Sequence, residues 1–367
     1  MEFYVEEGKE SDHNCSTLIL PALSIGNVGQ LAVDLLISSL KAEKIGFLDD
    51  PNILPCVGND AYWPSPPGDL TLPLEAYQSS SSALSLVQQR SPVVKFCARI
   101  LFPEIFGNWK AMDCNSRNVW CSGNAKDLQS NVDEEVIKGS NEKSISGTEE
   151  VKKRRAKVKR LFLNVMTYSF LLAIFRRCLE IHGMMVEYAK NLANFVASNG
   201  KKHVIILSSL DFGRWHSIDV LSGLQIFYLS TSNIDGTDED CEKLGWHRLQ
   251  EYNPSQRIWK YLNTLAEGDS TMEEDLHFEE LGDEDYYPSL LFAALFSCIK
   301  TKGLKVTCLL CYCSEGDNIP EAFHLAEAAS KLLGLNQNES HGNEAGRWVI
   351  PFSWKSVYGP PADLTLF

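Results

Sequence analysis

Between Cys15 and Leu48 the chain reads CSTLILPALSIGNVGQLAVDLLISSLKAEKIGFL, and no other stretch limits the possible folds as much. Cys15–Leu23 is a short apolar run of strand formers closed by Pro21. Gly26 and Gly29 then sit in a loop-to-helix turn, and Val28, Leu31, Ala32, Leu35, Leu36 and Leu40 recur at helical spacing. Ile45–Leu48 reads as a second strand. Strand, glycine turn, helix and strand in that order make a βαβ unit, which requires a parallel or mixed sheet.

The second half repeats the alternation. Met184–Asn199 is an amphipathic helix with Gly200 placed to end it. Lys202–Leu210 is a continuous apolar strand of the kind covered on both faces. Tyr286–Thr301 predicts a buried helix, Leu304–Tyr312 a strand, and Ile319–Leu333 a helix with Pro320 in its first turn. Residues 1–14 read as a solvated acidic tip, Pro51–Pro73 as loop, and Gly268–Tyr287 as a solvated acidic loop or short helix. The fold class is α/β.

From about Phe96 to His182 the alternation stops. The 367-residue chain has a formal charge of −14, yet this stretch holds 15 Lys and Arg against 10 Asp and Glu. Asn115–Glu150 is polar and poor in hydrophobic residues, the composition of a disordered segment. The basic run Lys152–Arg160 and the apolar run Leu161–Phe175 follow. A membrane span needs about 20 apolar residues, and this run stops short at Arg176. The basic run alternatively matches a nuclear-import patch. The favoured reading is an insertion, 96–182, largely disordered or irregular, such as a translated intron. Residues 1–95 and 183–367 then form one discontinuous domain.

The acidic balance argues against nucleic acid as a partner. Eleven cysteines include Cys308, Cys311 and Cys313 in KVTCLLCYCSEG, where an apolar setting reads as buried strand and not as a metal or redox site. The acidic opening MEFYVEEGKESDHN lacks the basic and apolar regions of an export signal, so a reduced cytoplasmic or nuclear compartment is expected.

Chemistry-bearing motifs are weak. Gly26-Asn27-Val28-Gly29 resembles part of a phosphate-binding turn but lacks a third glycine or a P-loop lysine. Ser208 and Ser209 end a strand without a nucleophile elbow around them, and a helix-capping role is favoured. In SEGDNIPEA, Gly316 and Asp317 form a turn, and Asp317 or Asn318 is placed to cap the helix at Pro320. RWVIPFSW puts Trp348 and Trp354 in a segment that either packs inward or presents an interface. A small-molecule enzyme of nucleoside-phosphorylase type would need a concave pocket joining the Gly26–Gly29 turn to Ser208.

The runs LILPALSIGNVGQLAVDLLISSL, VGND, VIILSS, SEGDNIPEA and RWVIPFSW together resemble the proteasome assembly chaperone 2 (PAC2) family, over about residues 15–95 and 183–367. The residues carrying the resemblance most specifically are Gly26, Asn27, Gly29, Gly316, Asp317, Asn318 and Pro320. The resemblance implies a three-layer sandwich like nucleoside phosphorylases in fold only, with no catalytic residue, no cofactor and no metal. It also implies a heterodimer with proteasome assembly chaperone 1, binding of proteasome α subunits, promotion of α-ring formation and prevention of off-pathway ring dimers. No nucleic acid or membrane partner is implied. Partner-binding candidates are Trp348, Trp354 and the tail residues Leu364, Leu366 and Phe367. In that tail Leu366 stands where chaperones of this group carry tyrosine.

Overall fold

The computed structural model describes residues 1–12, 15–62, 70–93, 182–214, 224–268, 286–335 and 348–357. The expectations for 96–181, for the acidic stretch 269–285 and for the tail Leu364–Phe367 lie outside the described residues.

Strand β2 (Thr17–Pro21) leads through the glycine turn into helix α1 (Val28–Ser39), which returns to strand β3 (Glu43–Asp49). Helix α1 forms because Val28, Ala32, Val33, Leu35 and Leu36 make a stripe that is buried along the sheet. The unit is opened out, however. β3 does not lie beside β2, because the hairpin β6 (Leu74–Ser79) and β7 (Leu84–Gln89) is inserted between them.

The second half supplies α2 (His182–Ser198), β8 (His203–Asp211), β9 (Phe227–Ser230), α3 (Glu239–Lys243), β10 (His247–Arg248), α4 (Arg257–Glu267), α5 (Leu291–Lys300), β11 (Lys305–Cys313), α6 (Ile319–Leu332) and α7 (Phe352–Val357). With β1 (Glu2–Val5), nine of the described strands form one sheet in the order β1-β3-β6-β7-β2-β8-β11-β9-β10. A separate two-residue pair joins β4 (Gly58–Asn59) to β5 (Leu70–Thr71).

The centre, β7-β2-β8-β11, is parallel, and both wings carry antiparallel pairs, so the sheet is mixed. β8 and β11 are buried along nearly their whole length because both faces are covered. One face packs on α2, α4 and α5 through Leu192, Trp259, Phe292 and Phe296. The other packs on α1 and α6 through Leu35, Leu36, Leu325 and Ala329. This is an α/β fold of three layers.

Three expectations are corrected. Residues 2–5 are solvated as expected but form an edge strand and not a free tip: Glu2–Val5 pairs antiparallel with β3, and Tyr4 stacks on Phe47 with ring centroids 5.0 Å apart. The helix expected over Tyr286–Thr301 begins only at Leu291, because Pro288 holds Tyr287–Ser289 in a 3-10 turn. Ser208 and Ser209 do not cap a helix; they belong to β8. No helix among the described residues is long and apolar enough to cross a membrane.

Candidate functional site

The two glycine-bearing motifs, distant in sequence, meet at the C-terminal ends of the parallel strands, where α/β folds place their sites. As β2 ends, the Ala22 N–H donates to the Leu207 carbonyl of β8 at 2.8 Å. The Ser208 hydroxyl donates back to the Ala22 carbonyl at 3.2 Å. The Ser24 hydroxyl accepts from the Ser209 N–H at 3.0 Å and lies 2.7 Å from the Ser209 hydroxyl, which reaches the Ile25 carbonyl at 2.5 Å. The Cys313 thiol of β11 also donates to Ile25, at 3.3 Å.

Gly26 and Asn27 then take left-handed conformations, with φ of +65° and +53°. Glycine is required at position 26 twice over, by that φ and by space. A Cβ there would stand 2.1 Å from the Asn318 amide nitrogen. At Gly29 a Cβ would stand 2.3 Å from the Leu207 carbonyl oxygen, so the first turn of α1 rides directly on β8. The Asn318 side chain is buried and donates to the Gly316 carbonyl at 3.1 Å. Asp317 accepts from the Ile319 N–H at 3.2 Å, ahead of Pro320 in the first turn of α6. The two motifs therefore meet through Gly26 and Asn318, while Gly29 packs on β8 and Gly316, Asp317 and Pro320 shape the start of α6.

What this junction can do chemically follows from its occupancy. Ser208 and Ser209 are each 1% exposed and engaged with backbone or hydroxyl partners, and the face of Gly26 is filled by Asn318. A phosphate cradle needs open N–H groups over a glycine turn; here the turn is closed by a side chain of the chain itself. Burial pushes the Cys313 thiol up to about 11 and raises those of Cys308 and Cys311, which suits packing and not reactivity. Among the described residues no group of His, Cys, Asp and Glu is placed to hold a metal ion.

A second polar cluster escaped sequence reasoning. On the α1 side of the hairpin, one oxygen of Asp34 accepts from the Tyr62 hydroxyl at 2.5 Å, the Gln88 amide at 2.5 Å and Arg90 at 3.2 Å. Arg90 continues to Glu75 at 3.4 Å, and Glu75 also receives Tyr77 at 3.0 Å and Lys44 at 2.9 Å. Burial works against the Arg90 charge, but Asp34 and its neighbours hold it firmly protonated. Two acids and two bases thus neutralise one another, and the cluster ties α1, the hairpin and the loop ending at Tyr62 into one piece. The alternating pattern of LEAYQS and LSLVQQ was the available signal, masked by the buried polar residues.

Trp348 and Trp354 turn inward onto Phe323 of α6, with ring centroids 6.2 and 6.4 Å away. The backbone between them is pinned by the Val349 N–H to the Ser39 hydroxyl and by the Ser353 N–H to the Ala61 carbonyl, each at 2.9 Å. Val349, Ile350 and Phe352 consequently face solvent at 46%, 48% and 41% exposure, three large apolar side chains within four residues. A run of this kind on an anchored segment is unfavourable unless another surface covers it.

Comparison with known proteins fits these features to a group. The PAC2 family model matches residues 18–101. Proteasome assembly chaperone 2 of Xenopus tropicalis is 41% identical over 374 residues, covering 99% of this chain and 100% of the relative. The mouse protein of the same name is 40% identical over 94% of each chain. The Nematostella vectensis relative is 49% identical over 105 residues, which span 26% of this chain and 43% of that one. Among solved structures, Pyrococcus furiosus PbaA, an archaeal homolog of proteasome-assembly chaperone, covers 91% of this chain and 82% of its own at 13% identity. Its TM-score of 0.43 is too low for that likeness to bear on function.

Proposed function

The chain belongs to the proteasome assembly chaperone 2 family, and from that premise we propose that it assists proteasome assembly as a binding protein and not as an enzyme. In this reading it pairs with a partner chaperone of the proteasome assembly chaperone 1 type. The pair holds α subunits, promotes α-ring formation and prevents off-pathway ring dimers, in the cytoplasm and nucleus. The observation that carries the reading is the full-length 41% identity to a relative of that name.

The geometry supports it from two sides. The strand ends where an α/β enzyme would keep an open pocket are closed by Ser24, Ser209 and Asn318. The apolar strap of Val349, Ile350 and Phe352 meanwhile offers the apolar centre of a protein interface. Lasting complexes bury about 1,600 Å² or more around an apolar centre. We assign the strap to the partner chaperone, because a permanent partner keeps such a surface covered.

Affinity purification of the tagged chain with identification of co-purifying proteins tests the role. Recovery of the partner chaperone with α subunits is expected, and recovery of neither would overturn it. Deleting Leu364–Phe367 tests the tail as an added α-ring contact: reduced α-subunit recovery is expected, and unchanged recovery contradicts that part alone.

A further inference from the structure

At the opposite end of the sheet from the motif junction, the chain leaves β9 and enters α3 through the loop Thr231–Asp238. It places Ile234 at its tip with 86% of the residue exposed, far more than any other large apolar residue among those described. A single exposed isoleucine is ordinary on a protein surface. This one sits on a loop that is fixed on every side.

The Ser230 N–H donates to the Gly236 carbonyl at 3.0 Å, and the Gly236 N–H to the Asn233 carbonyl at 3.1 Å. Asp235 accepts from the Thr237 N–H at 3.1 Å and its hydroxyl at 2.7 Å. Arg248 of β10 donates to the Asp235 carbonyl at 3.1 Å. At the base of the loop, Asp238 accepts from Ser230 at 2.8 Å and Ser232 at 2.6 Å and pairs with Lys305 at 3.1 Å. Gly236 packs so closely, at φ +88°, that a Cβ would stand 2.6 Å from Leu229. A loop already ordered loses little entropy on binding.

Beside the tip lies an open groove of about 760 Å³ whose walls include Thr237, Arg248, Tyr252, Asn253 and Pro254. Of these, arginine is a side chain that dominates interface energies, whereas Tyr252 is buried as the floor, packed on Trp259 and Phe296. The surroundings are net acidic: Asp235, Glu239, Asp240 and Glu242 are exposed, against Lys243, which pairs with Asp240 at 3.3 Å, and the part-exposed Arg248 and Lys305.

Resting on the assembly role above, we infer that this loop is a client contact: Ile234 enters an apolar socket with a Lys/Arg rim on a proteasome α subunit, and the groove receives a side chain in return. A client rather than the permanent partner fits this chemistry. A lone apolar knob with an acidic rim makes a small, salt-sensitive contact of the kind that is formed and released. The apolar strap has the opposite character.

The test uses the full chain, co-expressed with its partner chaperone, against each purified α subunit of the same organism in turn. Ile234→Asp should weaken binding to at least one α subunit by about thirtyfold while leaving the melting temperature and partner recovery unchanged. Glu239→Gln should reduce the salt dependence of the same binding. Ile234→Ala guards against a local effect of the introduced charge and should weaken binding by about tenfold. If the unsubstituted chain binds an α subunit and both Ile234 variants bind it within twofold, the inference is wrong and the assembly role stands. If the unsubstituted chain binds none, both fall.

Discussion

Asp34 shows how much can depend on one carboxylate. Its oxygen collects Tyr62, Gln88 and Arg90, and removing it leaves the Arg90 guanidinium with the neutral Tyr62 hydroxyl at 2.9 Å and, as its nearest carboxylate, Glu75 at 3.4 Å. Breaking a buried ion pair on one side costs about 3–5 kcal/mol. Asp34→Ala should lose stability of that order in urea unfolding, and a loss below 1 kcal/mol would show that the cluster is held by other means. His203 supplies a pH prediction. Burial, with Lys305 close by, pushes its pKa down to about 4, and its Nε2 lies 3.0 Å from the Thr307 hydroxyl. The unfolded chain titrates this group near pH 6.5. Between those values the unfolded state takes up a proton that the folded state refuses, so stability is full above pH 6.5 and falls as the pH drops toward 4. His203→Gln should flatten that slope by about one proton; an unchanged slope between pH 6.5 and 4.5 would place the acid sensitivity elsewhere.

At the scale of elements, what the sequence made legible is what local chemistry decides. β2, α1, β8, β11 and α6 could be read because each is a long apolar run or stripe with a glycine or proline at its end. β1, β6, β7 and β9 could not. Glu2–Val5 is four residues in an acidic setting and is a strand only because β3 offers it an edge. The hairpin carries Glu75 and Gln88 on strands that are buried, so its alternation of polar and apolar residues is broken by the very groups that form the charge cluster. Likewise the two glycine motifs were visible singly, but nothing in the spacing of Gly26 and Asn318 announced that they touch. Gly29→Ala tests that packing: a Cβ would meet backbone, the Leu207 carbonyl, which has little freedom to move. Overpacking of this kind costs about 1–3 kcal/mol. A thermally unaltered Gly29→Ala protein would mean that α1 can lift off β8 freely.

For the whole molecule, the proposed function lies in surfaces more than in a pocket, and that is why so little of it was readable from motifs. The tryptophans of RWVIPFSW drew attention by type, yet they face inward, and the residues between them carry the exposure. Sequence alone shows the apolar run; only the pinning of its backbone to Ser39 and Ala61 says which side chains point out. Ile350→Asp with Phe352→Asp should preserve the fold, since both side chains are solvent-facing, and should abolish recovery of the partner chaperone. The most direct test of the account is recovery of partners by the intact tagged chain from its own cells. The account predicts the partner chaperone and α subunits together, with few β subunits of the mature particle; a chain recovered with neither partner nor α subunit would contradict it.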